Sequence, residues 1–267
     1  MKIDHFFYCF SGIIQREMLR FLQQKGRFFA ALVRPLVWLF IFAAGFRSIL
    51  GVSIIPPYET YILYEVYITP GLLGMIILFN GMQTSLSMVY DREMGSMKTL
   101  LISPLPRWFL LMSKLFSGVL ISILQIYLYL LIAWFWEVEA PLSGYLLIIP
   151  ALLLSGMMLG ALGLLISSFI KQLENFAGVM NFVIFPMFFA SSALYPLWKL
   201  KESSIFLHQI AFHNPFTHAV ELIRFALYSQ WNWEAFLYVV GFGSVFLLLS
   251  ILGYDPSRGN LAKKLQS

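Results

Sequence analysis

The feature that most limits the fold of this chain is a set of long runs without charged residues. Residues 66–90 form an uncharged run of 25 residues, residues 115–136 one of 22, and residues 140–170 one of 31. A helix of about 20 apolar residues crosses the hydrocarbon core of a bilayer. Each run is long enough to do so, and we therefore expect an all-α, polytopic membrane protein.

The composition also indicates a membrane protein. Of the 267 residues, 60% are hydrophobic and 12% are charged, whereas a soluble chain carries about 25% charged residues. The net charge of +5 does not indicate nucleic-acid binding, because the cations are scattered at the ends of apolar runs. The single cysteine, Cys9, excludes an internal disulfide and a cysteine-based metal cluster.

Six transmembrane spans are predicted within one domain, residues 1–267. The spans cover residues 28–46, 65–90, 113–136, 145–170, 175–195 and 235–253. Apolar side chains recur at helical spacing among the charges of residues 1–27, which predicts an amphipathic helix in the membrane interface. Residues 254–267 form a basic tail. Arg34 in the first span is expected either to extend to the headgroups or to form an ion pair inside the bundle.

Residues 91–112 form a charged insert between the second and third spans. Met94, Met97, Leu101 and Pro104 recur there at helical spacing, which predicts a short amphipathic helix on the membrane surface. Two carboxylates suit the start of this helix. Asp91 can cap its N-terminus, and Glu93 falls in its first turn, where the helix dipole favours an anion.

Residues 196–234, between the fifth and sixth spans, are too polar for a membrane span. We expect an external hairpin of two short helices, which meet at Asn214 and Pro215. His208, His213 and His218 are five residues apart and cannot share a helix face, so their spacing does not indicate a metal site.

His218, Glu221 and Arg224 do share a helix face in the same hairpin. These three side chains form a candidate external gate cluster. They could pair with one another, gate a path, or bind an anionic headgroup. The alternative is that the three side chains form a cluster at the membrane interface with only a structural role.

Polar residues are unusually frequent in the inner half of the second span. Asn80, Gln83, Thr84 and Ser87 should face other helices or a cavity, because lipid offers them no hydrogen-bond partner. They could line a translocation path or form ordinary hydrogen bonds between helices. In the fourth span, residues 156–160 contain a GxxxG motif, which permits close packing either within the chain or against a second copy.

Four short motifs carry a resemblance to a known family. They are Asp91, Arg92, Glu93, Gly95 and Ser96; Leu100, Leu101, Ser103, Pro104, Leu105 and Pro106; Thr69, Pro70 and Gly71; and Asn214, Pro215 and Phe216. With these motifs the chain resembles the permease subunit of bacterial ABC exporters of the ABC-2 type. The resemblance implies that the insert is a cytosolic coupling helix, held in a cleft of a separate ATPase subunit.

The resemblance places the ATPase-coupling role on eight residues of the insert. They are Asp91, Arg92, Glu93, Gly95, Ser96, Lys98, Ser103 and Pro104. It also implies two copies of an ATP-binding cassette subunit, which bind ATP and Mg, and a second permease copy. The chain has no G-x-x-x-x-G-K-[S/T] sequence to bind ATP itself, so we expect a non-enzymatic subunit without a cofactor.

The distribution of Lys and Arg predicts the orientation. If the amino terminus is inside, 14 of the 18 lie in cytosolic segments, which places both termini and the insert in the cytosol. The expected function is export of a lipid or drug-like amphiphile across a bacterial inner membrane. A polysaccharide or glycolipid exporter of the same family, an assembly factor and a channel remain alternatives.

Overall fold

The structure is a computed structural model that describes residues 3–23, 25–46, 56–58, 62–94, 106–136, 138–170 and 172–253. Within these ranges the chain is all-helical. The helices are α1 (Ile3–Gln23), α2 (Lys25–Phe46), α3 (Tyr64–Glu93), α4 (Arg107–Trp134), α5 (Leu142–Phe169), α6 (Leu173–Phe189), α7 (Leu197–Ser203), α8 (Ile205–His213), α9 (Pro215–Leu227) and α10 (Trp233–Gly253).

Four of the described helices, α3, α4, α5 and α10, are long and apolar enough to cross a membrane. Two further helices have shorter apolar stretches, Leu32–Ile41 within α2 and Leu173–Phe189 in α6. The prediction of an all-α membrane protein is therefore confirmed. The arrangement of six spans stays a prediction, since α6 has 17 residues where a span needs about 20.

Helix α3 is the centre of the bundle. It contacts α2, α4, α5, α6 and α9, and 67% of its most apolar 18-residue window is buried. The corresponding window of α10 is 17% buried. Helix α3 is thus enclosed by protein, whereas most of α10 is left to contact lipid or another chain.

Glycines allow α3, α4 and α5 to approach closely. A Cβ atom added to Gly81 of α3 would lie 3.1 Å from the Cα atom of Gly160 in α5, and one added to Gly163 would lie 3.0 Å from the Gly81 carbonyl oxygen. On α4, the side chain of Val119 lies 2.8 Å from the Cβ position of Gly156. We call Gly81, Gly156, Gly160 and Gly163 the glycine seam. The GxxxG motif therefore packs within the chain.

Helix α1 lies against α4 through aromatic side chains. The ring of Phe6 is 5.1 Å from that of Phe109, and the ring of Phe10 is 5.4 Å from that of Phe116. Phe7 and Tyr8, on the other side of α1, are exposed. The predicted amphipathic helix is present, and its location in the membrane interface stays a prediction.

Within the part of the chain that the structure describes, Arg34 of α2 does not form the ion pair that was one of its two expected arrangements. Its guanidinium carbon lies 3.9 Å from the centre of the Phe79 ring of α3, and the residue is exposed. A cation above an aromatic face is attracted by the ring quadrupole. The contact therefore offsets part of the cost of placing a charge next to an apolar helix.

Helix α6 ends at Phe189, before the predicted span boundary at residue 195. Beyond Phe189 the chain leaves the helix, so carbonyl oxygens of the last turn have no N–H donor within it. The amide nitrogen of Asn214 instead donates hydrogen bonds of 2.7 Å to the carbonyl oxygens of Met187 and Ala190. These contacts satisfy carbonyls that the helix end leaves without a partner.

The segment of residues 196–234 contains three helices, α7, α8 and α9, before α10 begins, so the prediction of two was wrong. The third arises because Ser204 starts a new helix, with its hydroxyl accepting a hydrogen bond from Leu207 N–H. The predicted junction is confirmed, since Asn214 caps α9 and Pro215 is its first residue.

The glycine seam makes a testable prediction about stability. Gly81→Leu places a side chain where the backbone of α5 lies, and overpacking of this kind costs about 1–3 kcal/mol. We expect the unfolding temperature in detergent to fall by about 5 °C. Gly241→Leu is the matched control, because no atom lies within 4 Å of its Cβ position. Equal unfolding temperatures for the two variants would contradict the seam.

Candidate functional site

The predicted path residues of α3 lie at its interface with α4. Asn80 is buried, and its amide nitrogen donates hydrogen bonds to Ser122 Oγ at 3.1 Å and to Gln125 Oε1. Gln125 and Ser122 are buried as well. Asn80 therefore joins two helices, which favours the interpretation of interhelical hydrogen bonding at this position.

Gln83, Thr84 and Ser87 follow along α3 and are half-buried. The Thr84 hydroxyl lies 2.7 Å from the Cβ position of Gly118 on α4. Ser87 Oγ donates to the Thr84 carbonyl oxygen at 2.7 Å and accepts from Lys114 Nζ at 3.3 Å. Their place in a translocation path stays a prediction.

A buried ion pair joins the ends of α3 and α4. Lys114 Nζ donates to Asp91 Oδ2 at 2.8 Å, and the exposed fractions of the two side chains are 6% and 15%. The ammonium group also lies 3.1 Å from Met88 Sδ. Removing one partner of such a pair leaves an uncompensated charge in a poorly solvated position. The pair therefore fixes the two helix ends that flank the insert.

Glu93, the last residue of α3, makes a second connection. Its Oε2 atom accepts a hydrogen bond of 3.1 Å from the backbone N–H of Leu173, the first residue of α6. The first N–H groups of a helix have no partner within the helix, and a carboxylate there also interacts favourably with the helix dipole. Glu93 thus links the end of α3 to the start of α6.

The expected capping of an insert helix by Asp91 was wrong. Helix α3 continues through Asp91 to Glu93, so both carboxylates belong to its last turn rather than to a new helix. A carboxylate at a helix C-terminus is unfavourable towards the dipole, and the Lys114 ammonium compensates at Asp91. Five other predicted coupling residues, Gly95, Ser96, Lys98, Ser103 and Pro104, lie outside the described residues, as does the side chain of Arg92.

Sequence reasoning missed the role of Lys114. The sequence predicted only a cytosolic cation at this position, although residues 108–136 carry no other charge. An isolated charge inside an apolar helix calls for a partner. The antiparallel neighbour α3 places Asp91, the first charge after its own apolar run, at the same level.

Arg224 lies at the opposite end of α3, in α9, and is buried. Its Nη1 atom contacts Glu221 Oε1, and its Nη2 atom donates to the Ser192 carbonyl oxygen at 2.8 Å. The guanidinium carbon lies 4.2 Å from the centre of the Tyr67 ring. Tyr67 Oη donates to the same Ser192 oxygen at 2.9 Å. Glu221 and Arg224 therefore pair, which is one of the alternatives that the sequence left open, and a role as an external gate stays a prediction.

His218 lies one turn before Glu221 on α9 and is also buried. Its Nε2 atom lies 2.8 Å from the Phe212 carbonyl oxygen, and its ring stacks on that of Tyr238 with 4.0 Å between centres. Burial lowers the pKa of His218, although Glu234 and Glu221 act in the opposite direction. Among the described residues, no group of three His, Cys, Asp or Glu side chains could hold a metal ion.

A cavity of about 360 Å³ opens beside this cluster. Side chains from α3, α7, α8, α9 and α10 line it, and we call it the hairpin cavity. They include Tyr67, Trp198, Phe212, His218, Glu221, Arg224, Phe225 and Glu234. The sequence did not indicate this cavity, because its walls come from five helices.

Comparison with known proteins now decides the family. The model of the family described as ABC-2 type transporter matches residues 8–228, which include the glycine seam, the Asp91–Lys114 pair and the Arg224 cluster. The chain belongs to the ABC-2 type transporter family. It is therefore a membrane transport permease, and the family implies a partnering ATP-binding subunit.

Individual relatives agree with the family. Proteins named as transport permeases, ycf38 of Cyanophora paradoxa and of Porphyra purpurea, are 26% and 25% identical to this permease. The alignments cover 95% and 91% of the permease, and 87% and 82% of the relatives. YbhR of Escherichia coli K12, named as a multidrug ABC transporter permease, is 29% identical over 60% of this chain and 43% of its own length.

The Asp91–Lys114 pair can be tested by exchanging its charges. Lys114→Asp places two carboxylates together, and we expect the unfolding temperature to fall by about 5 °C or more. Adding Asp91→Lys should recover at least half of the loss. Arg16→Asp is the control for charge reversal, since the Arg16 side chain is 56% exposed and ion pairs of solvent-exposed cations contribute little. A double variant no more stable than Lys114→Asp would contradict the pairing.

Arg224 makes a second stability prediction. Arg224→Met removes the partner of Glu221 and a donor to the Ser192 carbonyl, so we expect the unfolding temperature to fall by about 5 °C. The control is Lys201→Met, which removes a cation from an exposed residue of α7. The two unfolding temperatures are measured in the same detergent. A loss no larger than that of the control would show that the buried cluster is not structural.

Proposed function

We propose that this permease is the membrane-spanning subunit of an ABC-2 type exporter. It moves a lipid or drug-like amphiphile out of the cytosol or the inner leaflet. ATP hydrolysis in a separate ATP-binding cassette subunit supplies the free energy, and that subunit holds the ATP and Mg. Family membership and the multidrug name of one relative support this proposal.

The observation that carries the proposal is the way the flanks of the insert are fixed. Asp91 is paired with Lys114, and Glu93 is hydrogen-bonded to the N-terminus of α6. The insert between α3 and α4 contains the coupling motif, from Asp91 to Pro104. A displacement of the insert is therefore transmitted to three membrane helices at once, rather than absorbed by a loose loop.

The mechanism follows from this connection. Binding of ATP closes the partner subunits and displaces the insert. Helices α3 and α4 tilt together because the Asp91–Lys114 pair and the hydrogen bonds of Asn80 to Ser122 and Gln125 oppose their separation. Helix α6 follows through Glu93. The tilt exposes the substrate path alternately to the two sides of the membrane, or lets the substrate move out laterally.

The proposed topology keeps both termini and the insert in the cytosol. The six spans are α2, α3, α4, α5, α6 and α10, and α7, α8 and α9 form the external segment. The distribution of Lys and Arg supports this orientation. The membrane is the inner membrane of a bacterium, as the relative from Escherichia coli suggests.

A second copy of the permease and two copies of the ATPase complete the proposed transporter. Six helices are few to enclose a path for a bulky substrate. Among the described helices, α6 packs mainly against α3. Phe182 and Phe185, on the other side of α6, are exposed. This apolar surface suits either lipid or the second permease copy.

The first experiment identifies what co-purifies with the tagged permease from a gentle detergent and assays the preparation for ATP hydrolysis. We expect an ATPase subunit with a P-loop in a fixed ratio. A homomer without any ATPase partner would contradict the exporter and favour the channel or assembly factor.

Coupling is tested in the reconstituted complex with Glu93→Ala and Gly95→Trp. We expect transport per ATP hydrolysed to fall about tenfold, in the range of known coupling free energies, while the chain still inserts in the membrane. Glu139→Ala is the control, because Glu139 is exposed in the turn between α4 and α5. Normal coupling in both Glu93→Ala and Gly95→Trp would rule out a role for the insert.

A further inference from the structure

The hairpin cavity has the size of a small-molecule site. Its volume of about 360 Å³ falls in the range of roughly 300–1,000 Å³ found for ligand pockets. Side chains of α7, α8, α9 and α10 line it, together with Tyr67 of α3, and it is open on one side. It lies at the end of α3 opposite the Asp91–Lys114 pair.

Among the residues that the structure describes, the charges that line the cavity leave an excess of one negative charge. Arg224 is neutralised by Glu221 and directed to the Ser192 carbonyl and the Tyr67 ring. Glu234 remains, at the exposed start of α10. Glu221, Glu234 and His218 all line the cavity, and both carboxylates act to raise the pKa of His218. His218 adds no compensating charge at neutral pH, because burial lowers its pKa.

Aromatic side chains form much of the remaining wall. Trp198 of α7, Phe212 of α8 and Phe225 of α9 all line the cavity. Trp198 is 40% exposed, so its ring is accessible to a ligand. Aromatic faces attract cations, and such rings with an adjacent carboxylate recognise ammonium groups.

We propose that the hairpin cavity binds an organic cation, with a quaternary or protonated amine held between Glu234 and the ring of Trp198. An anionic ligand is disfavoured, because Arg224, the one arginine among the described lining residues, is already paired with Glu221. Only the external location of the cavity rests on the membrane orientation proposed above. Binding itself does not require the chain to be an exporter.

The experiment measures choline binding to the full-length permease, with any partner subunit that co-purifies, in phosphatidylglycerol nanodiscs. The neutral comparison is 3,3-dimethylbutan-1-ol, which has the same shape without the charge. We expect choline to bind at least fivefold more tightly. Equal affinity of the two compounds, or no choline binding, would overturn the proposal.

Variants locate the binding. Glu234→Gln and Trp198→Ala should each weaken choline binding about fivefold. Glu202→Gln is the matched control, since Glu202 is exposed on α7 and does not line the cavity. Glu221 is left unchanged because it neutralises Arg224. Binding that is insensitive to both cavity variants would place the cation elsewhere and refute the site.

A second arm distinguishes the source of the cation. If the site takes a lipid headgroup, adding phosphatidylcholine to the nanodiscs should reduce choline binding. If it takes a free cation, phosphatidylcholine should have no effect. A lack of choline binding would not change the ATPase co-purification result, and the absence of an ATPase partner would not change choline binding. The two proposals are therefore tested separately.

Discussion

The close approach of backbones at the glycine seam is the constraint on which the rest of the bundle depends. Membrane helices gain little from the hydrophobic effect when they associate, because lipid tails are as apolar as their side chains. Dispersion contacts and hydrogen bonds must hold them instead. Gly81 and Gly160 bring α3 and α5 close enough for such contacts, and Asn80 adds a hydrogen-bonded connection to α4. Helix α3 is therefore a packing surface shared by α4 and α5.

Each end of this shared helix is fixed by a different kind of polar contact. At one end the Asp91–Lys114 pair joins α3 to α4. At the other, Tyr67 and Arg224 both donate to the Ser192 carbonyl oxygen, which joins α3 and α9 to the chain after α6. The two sets are roughly 36 Å apart at 1.5 Å per residue. A tilt of α3 as a unit therefore changes both ends together.

Local sequence information was sufficient where a few neighbouring residues determine the structure. Long uncharged runs predicted membrane helices, and Asn214 before Pro215 predicted a helix start, as observed. The hairpin cavity and the partner of Lys114 were not predictable, since each depends on side chains from different helices. The length of α3 was underestimated, because the charged residues from Asp91 to Glu93 look like a loop until Lys114 supplies a partner.

The Glu221–Arg224 and Asp91–Lys114 ion pairs constrain motion differently. Glu221 and Arg224 are three residues apart on one helix, so their distance is unaffected when α9 moves as a body. Asp91 and Lys114 lie on different helices, and any sliding of α3 along α4 must separate them in surroundings where an isolated charge is costly. Relative motion of these two helices is therefore costly, whereas tilting them together leaves the pair intact. The ion pair thus favours movement of α3 and α4 as one unit.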